Sequence, residues 1–334
     1  MHKLLLWLGG LAFLAVTPVT FAAKMLGPPI EGLYDRPDLT RIVVAVANEK
    51  VAPSRLRFVV SEQLSGQSPE EVLLRTDESA FANIVAGNSY LVAWTDMRRN
   101  RALVEGWEKD PDGPSTVNVP GLGTTAIFED TPEIRFLFEI AKKDKADTSA
   151  RQINALFTQM ERPDSHSRAL MIMQLYLRPD LRDKMDQSQI GQLKNVILQE
   201  TLETQQLDFL LRTAIALPRD QTTPWLEEEF RRIIIFHGSQ YDLASFIPGL
   251  VRTAARGLQQ TGGLADIELL GNLLYSNNPG VAVSALKAMS QIDDKATVVK
   301  AQQAIDRNWI HDETRREVEL YLYTQVSDET NGPH

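Results

Sequence analysis

The chain has 334 residues, 43% of them hydrophobic and 24% charged, which excludes a disordered or low-complexity protein. Its 44 acidic residues outnumber 35 basic ones, so the broad basic surface needed for nucleic acid or anionic lipid is excluded. With no cysteine, thiol catalysis, thiolate metal sites, disulfides and lipidation at a cysteine are excluded as well.

The chain opens with Met1-His2-Lys3, an apolar run from Leu4 to Val16 broken only by Gly9 and Gly10, and then Pro18. Thr20-Phe21-Ala22-Ala23 supplies the small residues a signal peptidase cuts after. This three-part layout reads as a cleaved secretory signal over residues 1–23, its apolar core too short to span a bilayer comfortably; a retained, uncleaved N-terminal anchor is the alternative. Removing Lys3 with it leaves 34 basic and 44 acidic residues, a net charge of −10. Export without a single cysteine points to a periplasmic location and a freely soluble or peripherally held protein. The mature chain carries no second apolar stretch of about 20 residues, so no transmembrane segment is expected in it.

Residues 24–40 read as an extended leader, because Pro28, Pro29 and Pro37 oppose a helix. From 41 to 130 the pattern is β. Ile42–Val46, Leu56–Val60, Val72–Leu74 and Tyr90–Trp94 are apolar runs bounded by Gly, Pro and Asn turns. Leu56, Phe58 and Val60 share one face by the period of two. Ala102–Trp107 and Ser115–Val119 are further candidates. Short strands in this order predict a small antiparallel barrel or sandwich. The segments Val59-Val60-Ser61-Glu62-Gln63-Leu64-Ser65-Gly66, Val72-Leu73-Leu74 and Gly87-Asn88-Ser89-Tyr90-Leu91-Val92 resemble those of the netrin-type, OB-like barrels of secreted proteins. The resemblance implies the fold alone. The protease-inhibiting members act through an N-terminal cysteine, which this chain lacks.

Within the β region, Arg98, Arg99 and Arg101 form the densest basic spot, flanked by Trp94 and Trp107. The set fits a contact for an anion or a sugar acid. The same charges also suit a solvated hairpin loop that discourages edge pairing. Asp110-Pro111-Asp112-Gly113 reads as a tight turn, not a calcium loop, since the later oxygen ligands of such a loop are missing. Gly121-Leu122-Gly123 reads as a linker.

At Thr131-Pro132 the period switches to that of a helix, with Thr131 as N-cap and Pro132 in the first turn. Residues 131–326 then read as an all-helical domain, and 327–334 as a disordered tail. Apolar stripes recur at Ile153/Leu156/Phe157/Met160, Ile190/Leu193/Val196/Ile197 and Leu207/Leu210/Leu211/Ala214. A further stripe runs Leu243/Phe246/Ile247/Leu250/Val251/Ala254, with a kink expected at Pro248. Thr223-Pro224 and Asn278-Pro279 read as two more helix starts. About eleven short helices joined by short loops make an α-solenoid or an irregular bundle. The stretch Asn278-Pro279-Gly280-Val281-Ala282-Val283-Ser284-Ala285-Leu286-Lys287-Ala288-Met289 resembles the second helix of a HEAT-type repeat, with Leu264–Tyr275 as its partner.

His166, His237, His311 and His334 show no metal-ligand spacing, and no nucleophile-elbow motif is present. Neither a catalytic residue, a metal site nor a cofactor is assigned. The expectation is an α+β chain of two domains, exported to the cell envelope, with a non-enzymatic binding or scaffolding role toward another envelope protein and not toward nucleic acid. A periplasmic hydrolase acting on envelope glycan or peptide is the alternative, since triads and paired acids assemble only in space.

Overall fold

The computed structural model describes residues 27–330 except 36, 38, 52–53, 97–112, 143–147 and 163–166. Residues 1–23, the Ala102–Trp107 strand candidate, the Asp110–Asp112 turn, His166 and His334 thus lie outside the described residues.

Six strands form the N-terminal unit: β1 (Thr40–Lys50), β2 (Arg55–Ser65), β3 (Glu71–Arg75), β4 (Ser89–Asp96), β5 (Pro114–Thr116) and β6 (Ile127–Glu129). Helix α2 (Glu78–Asn83) lies between β3 and β4, and the Asp77 side chain caps it by accepting from the Ala80 N–H at 2.8 Å. The strand order β1-β2-β3-β5-β4 returns to β1, which closes a five-stranded barrel. Every pairing around it is antiparallel except β3 with β5, which meet in parallel at Arg75 and Ser115. Strand β6 extends the sheet alongside β4. Three register shifts between β1 and β2 bend these two long strands, as closing so small a barrel requires.

Val43, Ala45, Ala47, Leu56, Phe58, Val72, Leu74, Tyr90, Val92 and Trp94 fill the barrel. The alternate residues Ile42, Leu91, Ala93 and Phe128 are also buried, in a core shared with the helices. Burial on both faces explains why β1 and β4 read as unbroken apolar runs and not as alternating ones.

The 24–40 segment departs from the extended form expected of it, because α1 (Pro29–Tyr34) is helical. Pro28 sits at its N-cap and Pro29 in its first turn, where a missing N–H costs nothing. The helix buries Ile30 and Leu33. It is latched to the helical region at three points. The Ile30 N–H donates to Gln174 Oε1 at 3.1 Å, Gln174 Nε2 donates to Glu31 Oε2 at 2.6 Å, and Arg178 pairs with Glu31 at 2.6 Å.

Beyond β6 come α3 (Pro132–Lys142), α4 (Ser149–Met160), α5 (Arg168–Tyr176), α6 (Pro179–Arg182), α7 (Gln187–Ile197) and α8 (Thr204–Ile215). They are followed by α9 (Arg219–His237), α10 (Ile247–Thr261), α11 (Asp266–Gly271) with a 3-10 turn Asn272–Tyr275, α12 (Pro279–Ile292), α13 (Asp294–Arg307) and α14 (Asp312–Thr330). Thr131 caps α3, its Oγ1 accepting from the Ile134 N–H. The helices stack as hairpins in two rows. One row runs α4, α7, α9, α11, α13, and the other α5, α8, α10, α12, α14, each helix packing on the next in its row and on its hairpin partner. A small β-barrel followed by a helical-repeat array is the fold class the sequence implied.

Three local expectations are corrected. Helix α10 starts at Ile247, so Pro248 lies in its first turn and kinks nothing; Leu243 and Phe246 precede the helix and are 62% and 60% exposed. Helix α9 starts at Arg219, so Pro224 lies inside it and removes one backbone bond without opening a new helix. Helix α14 continues to Thr330, past the expected start of the tail at 327, since no helix breaker precedes Asn331-Gly332-Pro333.

Between α9 and α11, buried Asp266 accepts from Arg231 Nε at 2.7 Å and from the Gly263 N–H at 2.9 Å. The Arg231 hydrogen bonds hold its carboxyl below the usual aspartate range, against the opposing effect of burial. A lowered carboxylate adds stability that is present at neutral pH and lost as the pH falls through its folded-state value. Asp266→Asn is expected to cost about 2 kcal/mol at neutral pH, the scale of a hydrogen bond to a charged group. In urea melts this deficit should shrink in acid, where the wild-type carboxylate is protonated too.

Candidate binding groove

Arg98, Arg99, Arg101 and Trp107 lie outside the described residues. Trp94 is described, and it is 3% exposed in the barrel interior. Arg41, opposite it on β1, holds its guanidinium 4.7 Å from the Trp94 ring and donates through Nε to the Gln67 carbonyl at 2.6 Å. The position is fixed by barrel packing, with Nε1 lacking a partner among the described residues.

The His237 ring meets Phe236 edge-on, and burial pushes its pKa down, helped by the nearby Arg232 charge. His311 Nε2 shares a hydrogen bond with Gln240 Oε1 at 3.2 Å. Among the described residues no group of three His, Asp or Glu side chains could hold a metal ion.

Two concavities differ in what their polar groups are doing. The first, about 380 Å³, lies where α1 meets α3, α4, α5 and α6. Its charged and amide groups are consumed internally. Glu31 takes Gln174 and Arg178, Arg178 also pairs with Asp180, and Gln152 donates to Thr148. This is the seam that holds α1 in place.

The second, about 400 Å³, runs between α10 and α12 with Glu317 of α14 at its edge. The two helices run in the same direction. The Arg252 guanidinium lies 3.5 Å from where a Cβ would stand on Gly280, and a Cβ on Gly262, past the end of α10, would stand 3.3 Å from Ile292 at the end of α12. Arg252 and Arg256, one turn apart on α10, face Lys287 of α12, and all three are exposed. Gln259 and Gln260 continue the α10 side, while Pro279, Gly280, Val283 and Ser284 supply the α12 side. The Ser284 hydroxyl is turned inward to the Gly280 carbonyl at 2.9 Å.

None of Arg252, Arg256, Lys287, Gln259 and Gln260 makes an ion pair or side-chain hydrogen bond among the described residues. Where α10 packs on α8 the opposite holds: Arg212 pairs with Asp208 at 2.8 Å and reaches Thr253 at 3.3 Å. Arg57, Arg135, Arg178, Arg231 and Arg232 likewise each meet a carboxylate. Three adjacent uncommitted cations in a chain with nine excess acids are poised to receive a negative charge from outside.

The sequence did not single out these residues. Arg252 and Arg256 read as the polar stripe of an amphipathic helix, and Lys287 lies 31 positions beyond Arg256. The signal available was their i, i+4 spacing, coupled with the HEAT-like second helix that carries Lys287. No family model matches this chain, and neither the curated proteins nor the solved structures yield a match.

Proposed function

We propose that this chain is an exported, non-enzymatic binding or scaffolding protein of the cell envelope, which engages another envelope protein through the α10–α12 groove. The observation that carries the proposal is the set of uncommitted cations, Arg252, Arg256 and Lys287, on an open concave face. Stacked helical hairpins present long surfaces of this kind to partner chains. The strand order of the barrel, with a helix between β3 and β4, agrees with the OB-like resemblance of the sequence and supports a binding module at the N-terminal end. The HEAT-like character of α12 fits its place in the second row. The signal-like opening of the sequence supports the compartment, and no helix among the described residues is long and apolar enough to cross a membrane.

The test is affinity capture from a detergent-free envelope extract with tagged wild-type protein and the Arg252→Glu/Arg256→Glu variant. The wild type is expected to start at Lys24, or one residue earlier, and to retain at least one envelope protein that the variant loses. Cytoplasmic retention of the uncleaved chain, or an identical set of captured proteins, would overturn the proposal.

A further inference from the structure

We infer that the segment received by the groove between α10 and α12 is an extended acidic peptide with carboxylates on alternate residues, an assignment that rests on the binding role proposed above. Charge comes first. The groove presents Arg252, Arg256 and Lys287 against the single carboxylate of Glu317, so its interior is net positive although the whole chain is acidic. The N-terminal turn of α12 opens beside Arg252 and adds a positive dipole end to the same side.

Spacing comes second. Cations at i and i+4 on a helix stand about 6 Å apart. Carboxylates at i and i+2 of an extended strand lie on one face about 6.5 Å apart. An acidic–any–acidic segment therefore aligns with Arg252 and Arg256 without bending, and each guanidinium can take its carboxylate through two parallel N–H bonds. From Gly280 to Lys287 the groove follows α12 for about 10 Å, the span of three extended residues.

The remaining lining decides between a peptide and a phosphate chain. Gln259 and Gln260 each offer both a donor and an acceptor, which match peptide N–H and C=O groups. A phosphodiester backbone has no donor to use the acceptors. A long polyanion would also be repelled by the surrounding net negative charge, which a short segment escapes once in contact. The Arg252 guanidinium and the Asn278 side chain fill the space beside Gly280, so Arg252 is held at the α12 end of the groove.

The experiment is fluorescence anisotropy on the mature chain with a dye-labelled peptide of alternating glutamate and threonine, eight residues long. Controls are the same peptide with glutamine for glutamate, inorganic phosphate, and an oligothymidylate as competitors. The acidic peptide is expected to bind saturably, to weaken with salt, and to lose about tenfold or more in affinity with Arg252→Ala/Arg256→Ala, the loss of two charge-assisted contacts. Lys287→Glu should weaken it as well, and Lys295→Ala, on the other row, should not. Thermal melts of each variant confirm that it is folded. Equal binding of the glutamine peptide, no effect of the arginine changes, or displacement by oligothymidylate but not by the unlabelled acidic peptide would overturn the assignment. If an envelope partner is captured through the groove and the acidic peptide fails to displace it, the peptide class is overturned while the binding role stands. If the peptide binds as described and no partner is captured, the binding role in the envelope fails and the anion specificity of the groove stands.

Discussion

Gly257→Ala is expected to destabilise the protein by about 3 kcal/mol, the upper part of the range for forced overpacking of a core. A Cβ placed on Gly257 would stand 2.1–2.5 Å from three ring carbons of Phe230. Phe230 is fully buried on α9, so its ring has no solvent to retreat into. The two helices of this hairpin can approach only where one residue is missing a side chain. The sign of the effect is the informative part. In an exposed helix interior the same substitution stabilises by up to about 1 kcal/mol, because glycine is a poor helix former. Urea denaturation separates the two: packing predicts a loss, propensity a gain. Phe230→Leu in the Gly257→Ala background should recover part of the loss by vacating the ring positions. A variant as stable as the wild type would show that α9 and α10 do not interlock here.

Phe138→Ala is expected to cost about 4 kcal/mol, in the range measured for deleting a buried phenylalanine ring. Phe138 of α3 is fully buried, with its ring 5.8 Å from that of Phe128 on β6 and 6.3 Å from that of Tyr34 on α1. The Tyr34 hydroxyl also donates to the Phe138 carbonyl at 3.0 Å, and burial raises the Tyr34 pKa, keeping the phenol protonated as the donor. One ring thus joins the barrel, the leading helix and the helical array. Because the core continues across residue 131, the loss should reach both parts. Hydrogen exchange read by mass spectrometry should show peptides from β1 and β4 losing protection together with peptides from α5 and α8. A loss below about 1 kcal/mol, far under that range, or unchanged protection in β1 and β4, would mean that barrel and helices are held together elsewhere.

The strands β1 to β4 were readable because each contains a run of apolar residues long enough to fill the barrel, and in β1 and β4 to face the helices as well. Strand β6, Ile127–Glu129, escaped notice because three residues cannot display a period. The prolines were seen, but their effect depends on position. Pro29 and Pro248 fall in first turns, where they are harmless, while Pro224 is tolerated within a long helix at the loss of one bond. The apolar stripe through Leu243 and Phe246 was over-extended for a related reason: helical spacing continues in the sequence before the helix itself begins. The groove was the least legible feature. Arg98, Arg99 and Arg101 stand out because they are contiguous, whereas Arg252, Arg256 and Lys287 meet only when α10 and α12 pack side by side in the same direction. That direction follows from the one helix between them, α11 with its 3-10 turn: Leu264–Tyr275 was legible as the partner of α12, but the packing of α12 on α10 was not.

The central claim is that the α10–α12 groove is where a partner chain docks, and photo-crosslinking in intact cells measures it most directly. A photoreactive residue in place of Gln260, at the groove wall, is expected to give a discrete adduct with one envelope protein. That adduct should vanish when Arg252→Glu/Arg256→Glu is added. The same probe in place of Lys295, on the opposite row, should give none. An adduct at position 260 that persists after the charge reversal, or one of equal yield from position 295, would contradict the claim.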